Sequence, residues 1–258
     1  MIDWHQKLTR EPVSRSGETL VFTKSVAEDS ERRFGRGLAS RLVESIYADH
    51  KRSRKVRRRL EELLAQLRKQ DGIGLNFGAG RSAHTAGIVN LDVYRGDNVD
   101  VVYDGSEIPF ADATFDLVIS QEVFEHIATP EAALDEVARV MKPGAPLFLQ
   151  LPFIIGFHSI PGDYWRFTAP GIRVFVESTG KFRVVDSAMA LGHGTGLYRI
   201  LVEFVAVTSS AIAGFLYRPA KLAAAILFYW VKFFDVLTPL ASEPDRIAGG
   251  YYVVAVRT

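Results

Sequence analysis

The chain has 258 residues, 48% of them hydrophobic and 24% charged, with a net charge of +1. That balance allows a substantial core and argues against a disordered polyelectrolyte. The absence of cysteine excludes disulfides and thiolate metal sites and fits a reducing compartment; the charged start MIDWHQKLTREP lacks the apolar core of a secretory signal, so a cytoplasmic location is expected.

Residues 1–70 read as an N-terminal helical extension, helical from about Arg32 to Lys69 with a bend near Gly35 to Gly37. Within it, KRSRKVRRR at 51–59 puts seven basic side chains in nine positions. Such a run could meet nucleic-acid phosphates, anionic lipid heads or a phosphorylated substrate, but a solvated helix leading into the next domain is the preferred reading. Short apolar runs bounded by turns then predict buried parallel strands at 73–77, 88–92, 99–103, 115–120 and 146–151. Between the last two lies the clearest helix. Pro130 suits its first turn, Glu131 its dipole, and Ala132, Ala133, Val137, Val140 and Met141 its apolar face, with Lys142-Pro143-Gly144 ending it. A helix at 170–179 ended by Gly180, a strand at 182–188 and a final strand at 251–257 complete an α/β domain at 71–189 and 249–258.

Residues 190–248 form an insertion far longer than an ordinary loop. Residues 200–217 and 222–237 predict two apolar helices. Glu203, Lys232 and Asp235 interrupt them, which argues against a transmembrane hairpin. A helical subdomain packed on the sheet, a partner subunit in a homo-oligomer, and a membrane-surface contact supported by 51–59 are the readings left open.

The chemistry concentrates at LNFGAG, residues 75–80. Gly78-Ala79-Gly80 lets a strand turn sharply and its backbone approach a ligand. The segment also fits the dinucleotide fingerprint G-x-G-x-x-G/A. However, Asp92 follows Gly78 by only fourteen residues, and only seven separate Gly80 from Ile88. That is too short for the helix whose N-terminus faces a pyrophosphate, so a nucleotide-dependent oxidoreductase is disfavoured. A ligand with one ribose and no phosphate needs only backbone donors, an acid for the ribose and a slot for adenine.

With Asp92, Asp104 and PFADATFDLVISQEVFEHI, the chain resembles class I S-adenosylmethionine-dependent methyltransferases of the small-molecule branch over residues 73–187. The resemblance implies a Rossmann-like sheet of seven strands, the last antiparallel, and S-adenosyl-L-methionine as cofactor. It places Gly78, Ala79 and Gly80 at the methionine part, Asp92 at the ribose, Asp104, Gly105 and Ser106 at the adenine, and Gln121 facing the same cleft. Asn76, standing where the family often has an acid, and the short link after Gly80 depart from the pattern.

The segment LPFIIGFHSIPGDYWRFT resembles the H-x(4)-DYWRFT segment of methyltransferases that accompany sugar and cell-surface glycan synthesis, which implies O-methylation of a sugar or lipid-linked glycan. His158 is the expected general base, because an imidazole titrates near neutral pH. Asp163 orients it or serves as base itself. Tyr164 and Trp165 could stack on a sugar or adenine, and Arg166 could hold a substrate phosphate or carboxylate. In the structural reading of the same segment, Asp163 pairs with Arg166 and the aromatics fill core. His126 is expected to line the pocket. His84 and His193, placed in loops, give no ligand spacing with His158, so no metal is expected. The strand end SQEV lacks the (N/D/S)-P-P-(Y/F/W) motif, which disfavours nucleic acid and nitrogen acceptors. A methyltransferase of another small hydrophobic metabolite and a noncatalytic binding module are the other readings.

Overall fold

The computed structural model describes residues 4–23, 53–80, 87–158 and 162–258. Nine strands form one sheet: β1 (Ser14–Ser16), β2 (Thr19–Val21), β3 (Gly74–Phe77), β4 (Ile88–Asp92), β5 (Val101–Val102), β6 (Leu117–Gln121), β7 (Pro146–Pro152), β8 (Phe182–Leu191) and β9 (Gly250–Arg257). Their order is β1-β2-β5-β4-β3-β6-β7-β9-β8. From β2 to β7 every neighbouring pair is parallel, and β9 runs antiparallel between β7 and β8. The seven expected strands are all present with their antiparallel last member, but the sheet has nine. The extra two belong to a hairpin turned at Gly17 (φ +62) and joined to β5 through β2. The extension at 1–70 is therefore not wholly helical.

Strands β3, β4 and β5 are buried at every position, as a parallel sheet covered on both faces requires. On one face, Leu75, Leu91, Val118 and Leu149 join Phe110, Phe115, Phe124, Leu134 and Ile172 in the main core. On the other, helix α1 (Arg54–Lys69) lays Val56, Leu60, Leu63 and Leu67 against Ile88, Leu117, Ile119, Phe148 and Val254. Ser53 caps its N-terminus by accepting from the amide of Val56. Packing that stripe turns Arg54, Lys55, Arg57 and Arg58 to solvent, while Arg59 pairs with Glu62 on its own helix and with Asp186 of β8 at 3.1 Å. The helical stretch expected upstream, Arg32 to Arg52, lies outside the described residues.

Helix α2 (Pro130–Val140) begins at its proline as expected. Its buried residues are Pro130, Leu134, Val137, Ala138 and Val140, continued by Met141, with Ala133 partly buried against the core, whereas Ala132 is exposed. Two residues from each of the buried Pro130 and Leu134, residue 132 falls on the opposite side of the helix. Helix α3 (Ala169–Ser178) is capped by Thr168 and followed by Gly180 in the left-handed conformation, where glycine carries no steric cost.

The insertion departs from the expected pair of helices. Its first helix, α4 (His193–Ser210), starts seven residues earlier than the apolar run, so His193 is not in a loop but opens a helix. The second is split at Phe228 into α5 (Tyr217–Leu227) and a 3₁₀ segment, Tyr229–Leu240. The aromatic and β-branched run after Leu227 is a poor α-helix former, and the break lets Asp235 return to the start of α4. There its carboxylate accepts from the amides of Gly194 (2.7 Å) and Thr195 (3.2 Å) and from the Thr195 hydroxyl (2.6 Å). A Cβ on Gly194 would stand 3.0 Å from that carboxylate. Glu203 is likewise matched, by Tyr217 and Lys221, and Lys232 lies over the rings of Tyr198 and Tyr229. The three charges that interrupt the apolar runs are thus used inside the insertion. Among the described residues no helix is long and apolar enough to cross a membrane.

Candidate active site

The C-terminal ends of β3, β4, β5, β6 and β7 lie along one edge of the sheet, where open α/β sheets bind ligands at the point of strand-order reversal. That point falls between β3 and β6. At the end of β3 the chain turns at Gly78 (φ +73) and Gly80 (φ +51). The two positions need glycine for different reasons. A Cβ on Gly78 would collide with Val123, whereas one on Gly80 would meet nothing within 4 Å among the described residues, so that side of the turn is open with respect to them.

The turn is held by the neighbouring strand. The amides of Gly78 and Ala79 donate to the carbonyl of Leu91, at 2.9 and 3.0 Å. Asp92, 7% exposed, takes the amide of Gly80 at 2.7 Å on one oxygen and that of Tyr94 at 2.9 Å on the other. Behind the turn, Asn76 donates to Asn90, whose side chain donates in turn to Asp100. A neutral amide network thus occupies the place where the resemblance expects an acid. The link from Arg81 to Ala86 lies outside the described residues, as does His84.

Past β5, Asp104 accepts from both the amide (3.0 Å) and the hydroxyl (2.6 Å) of Ser106 around Gly105 (φ +86). The hydroxyl contact is the main cause that holds its carboxyl below the ordinary range. Arg139 of α2 clamps the loop that follows, donating to the carbonyls of Ile108 and Phe110, both at 2.8 Å, while pairing with Glu136 and Asp112. Gln121, the last residue of β6, donates to Gln150 of β7 at 3.1 Å.

The second half of the edge is built from the loops after β6 and β7. Strand β6 runs into Glu122, in the left-handed region (φ +57), and then the short 3₁₀ turn Phe124–His126. Glu125 of that turn is fully buried, and neither of its carboxylate oxygens has a hydrogen-bond partner among the described residues. Burial, reinforced by the charge of Glu122, raises its carboxyl well above the ordinary range. Its backbone carbonyl, by contrast, receives the amides of Tyr164 (2.8 Å) and Trp165 (3.3 Å), which sews the DYWRFT segment onto the turn.

Around the Glu125 side chain stand two histidines. His126 Nε2 is 3.7 Å and His158 Nε2 3.9 Å from the same carboxylate oxygen, and the two rings meet edge to face at 4.9 Å. Asp163 holds the second histidine from behind. It accepts the backbone amide of His158 at 2.8 Å, lies 3.5 Å from Nδ1, and is paired by both guanidinium nitrogens of Arg166. Burial alone would raise the carboxyl of Asp163, but those partners together hold it low. Burial pushes the imidazole of His158 down, against the pull of Asp163.

The structure therefore brings together His126, His158, Asp163 and Arg166. Arg166 is spent on Asp163, the pairing named in the structural reading of DYWRFT. The aromatics do not fill core: Tyr164 is 59% and Trp165 41% exposed, the indole donating to the carbonyl of Ile127 at 3.0 Å. His193 is elsewhere, its ring against Thr238. The residue that sequence reasoning missed is Glu125. Its signal was an acid flanked by Phe124 and His126 immediately beyond a buried strand, a position that folding closes over.

Residues 78–149 match the family described as Methyltransferase domain. That segment carries the glycine turn, Asp92, Asp104, Gln121 and Glu125, and the match supports S-adenosylmethionine-dependent methyl transfer as the enzyme class. Among curated proteins, the chain is 36% identical over 78 residues to a demethylmenaquinone methyltransferase of Corynebacterium urealyticum, covering 29% of this chain and 34% of that protein. It is 42% identical over 48 residues to norajmaline N-methyltransferase of Rauvolfia serpentina, covering 19% and 16%. The matches thus span about a third and about a sixth of those relatives. Among solved structures, a coclaurine N-methyltransferase bound to N-methylheliamine and SAH aligns with TM-score 0.44 and 13% identity over 78% of this chain and 71% of that one. The phosphoethanolamine N-methyltransferase 2 of Haemonchus contortus in complex with S-adenosyl-L-methionine aligns with TM-score 0.43 and 16% identity over 76% and 52%.

Proposed function

We propose that the chain is an S-adenosylmethionine-dependent methyltransferase that methylates a hydroxyl of a sugar or lipid-linked glycan. The residues fit the cofactor: the open side of Gly80 beside the buried carboxylate of Asp92 suits the methionine and ribose, and the turn at Asp104, Gly105 and Ser106 borders an adenine slot. The sulfonium supplies a methyl that is already electrophilic, so a C–O bond forms as the C–S bond breaks, and S-adenosylhomocysteine leaves. The chain must align the hydroxyl opposite sulfur, exclude water and take up one proton.

One observation carries the choice of a hydroxyl acceptor. His158 stands at the same sheet edge as the glycine turn, held by Asp163, with its Nε2 on the side facing Glu125 and its side chain 40% exposed. A desolvated imidazole is neutral near pH 7 and able to take the hydroxyl proton. Tyr164 and Trp165 beside it offer faces on which a sugar ring stacks. In this reading the catalytic unit is 71–189 with 249–258, and 1–70 and 190–248 are additions that place it.

The insertion favours an acceptor at a lipid surface. Phe204, Phe215, Trp230, Phe233 and Leu240 are exposed, while the insertion's interrupting charges are paired internally, which leaves exposed apolar side chains of the kind that enter a membrane interface. The protein is then cytoplasmic and peripheral on the inner leaflet. Incubation with methyl-labelled cofactor and a cell extract split into soluble, lipid and polysaccharide pools should label the lipid or polysaccharide pool. Label confined to a soluble amine would overturn the acceptor assignment.

A further inference from the structure

The cluster at the end of β6 contains more than a base needs. A buried carboxylate with no donor is strongly destabilising, so native proteins rarely leave one unmatched. Glu125 is such a group, fully buried with both oxygens unpartnered among the described residues. It is not an accident of a loose loop, because its backbone carbonyl is pinned by Tyr164 and Trp165.

The orientation of the two imidazoles is the second observation. His126 Nδ1 hydrogen-bonds the carbonyl of Gly162, and His158 Nδ1 faces the carbonyl of Gly156 at 3.3 Å. A carbonyl only accepts, so in each ring the proton sits on Nδ1 and the lone pair on Nε2. Both lone pairs then face the Glu125 carboxylate, at 3.7 and 3.9 Å. Two lone pairs and a carboxylate oxygen gathered this closely repel each other unless a proton or a cation lies between them. Histidines held by Nδ1–H to a carbonyl or carboxylate, with Nε2 free, are the form in which imidazole binds metal.

We propose that Glu125, His126 and His158 hold a divalent transition-metal ion, zinc being the type best suited to one carboxylate and two imidazoles. One ligating atom from each lies within 4.8 Å of the others. Bonds of about 2.0–2.2 Å in a tetrahedron separate ligands by roughly 3.3 Å, so the carboxylate–imidazole pairs close by about half an ångström and no pair has to close by more than about 1.5 Å. Three protein ligands leave a fourth position open, as in catalytic rather than structural zinc sites. Asp163 and Gly162 supply the outer contacts that fix the rings, and the exposed flank of His158 gives the ion its way in.

The existence of the site is independent of the methyl-transfer reading; its role rests on that reading. With the ion bound, the lone pair on His158 is taken. His158 would then act as a ligand in place of its role as base, and the ion would supply the activation by lowering the pKa of an acceptor hydroxyl at the open position, whose proton would pass to water before the methyl group arrives.

The test needs neither methyl donor nor acceptor. Purified chain stripped with a chelator and titrated with cobalt(II) should bind one equivalent, show the visible absorption of a low-coordinate site and gain thermal stability. Glu125→Gln, His126→Ala and His158→Ala should each abolish these changes, and His193→Ala should not. Because a ligand substitution can disturb folding, His158→Cys gives a positive signal. The chain has no cysteine of its own, so a new near-ultraviolet thiolate-to-cobalt band can arise only at this site. Absence of one-to-one uptake by the parent chain, or uptake that survives all three ligand substitutions, overturns the proposal. S-Adenosylmethionine binding, measured separately on the stripped chain, reports on the methyl-transfer reading whichever way the metal experiment falls.

Discussion

The two halves of the sheet edge treat buried charge in opposite ways. At the β3–β4 end, Asp92 is sunk in the protein with both oxygens receiving backbone amides. At the β6–β7 end, Glu125 is sunk as deeply with none. The first arrangement sets a shape: the carboxylate ties the amide of Gly80 to the end of the neighbouring strand. The second stores an unmet demand that a proton, a histidinium or a metal must satisfy. A pocket that holds one partner through rigid geometry and activates another through electrostatics needs both kinds of site.

The sharpest way to break the contrast is at His158. His158→Gln keeps a polar side chain of similar reach but offers neither a basic nitrogen nor an imidazole ligand, so methyl transfer should fall by roughly 10²–10⁴-fold. S-Adenosylmethionine affinity, measured by calorimetry, should stay within about twofold, since no cofactor contact is assigned to His158. Undiminished transfer would remove the β6–β7 half from the chemistry.

On the opposite half, Asp92→Ala should weaken cofactor binding by about 1.5–3 kcal/mol, the range for a charge-assisted hydrogen bond, or roughly 10- to 150-fold in Kd. The same substitution frees the amide of Gly80, so the melting temperature should fall as well. Asp92→Asn retains an acceptor for one amide and should recover part of the stability but little of the affinity. If both variants bind cofactor like the parent, Asp92 serves the turn alone.

Arg139 probes the shape-setting half at a distance. Its guanidinium ties two backbone carbonyls of the loop after Asp104 to α2. Arg139→Met keeps the length of the side chain and removes five donors. It should cost about 1.5–3 kcal/mol of stability by denaturant titration and a smaller loss of cofactor affinity. A loss of transfer with both quantities intact would contradict a purely structural role for the clamp.

These residues also mark how far the sequence could be read. The parallel strands were legible because burial on both faces demands short unbroken apolar runs, and Gly78 and Asp92 because a tight turn and a strand-end acid have a fixed spacing. The β1–β2 hairpin was not, since SRSGETLV is polar and β1 is exposed at every position, so no hydrophobic pattern announces it. Nor was the start of α4, whose N-terminal amides are met by Asp235, 42 residues beyond His193 in sequence. The cluster at Glu125 fails for the same reason. His126 and His158 are 32 residues apart and lie at the ends of different strands, and only the pairing of β6 with β7 brings them together.

Glu125 itself gives the smallest but most diagnostic effect. Its carboxyl is raised above its unfolded value, so in the metal-free chain it contributes stability that is fully present below the ordinary carboxylate range and lost as pH rises through the folded value. Glu125→Gln fills the same volume with no charge to bury. The stripped variant should therefore match the parent under acid conditions and exceed it increasingly as pH rises to neutrality and above, by about 2 °C or more in Tm. Metal should invert the order, because the ion stabilises only the chain that keeps the carboxylate. At Asp92, where amides already stabilise the charge, the neutral variant should be the less stable at neutral pH whether or not metal is present. A Glu125→Gln chain that is less stable than the parent at neutral pH without metal would mean that the carboxylate is matched after all, and the two halves of the edge would then be alike.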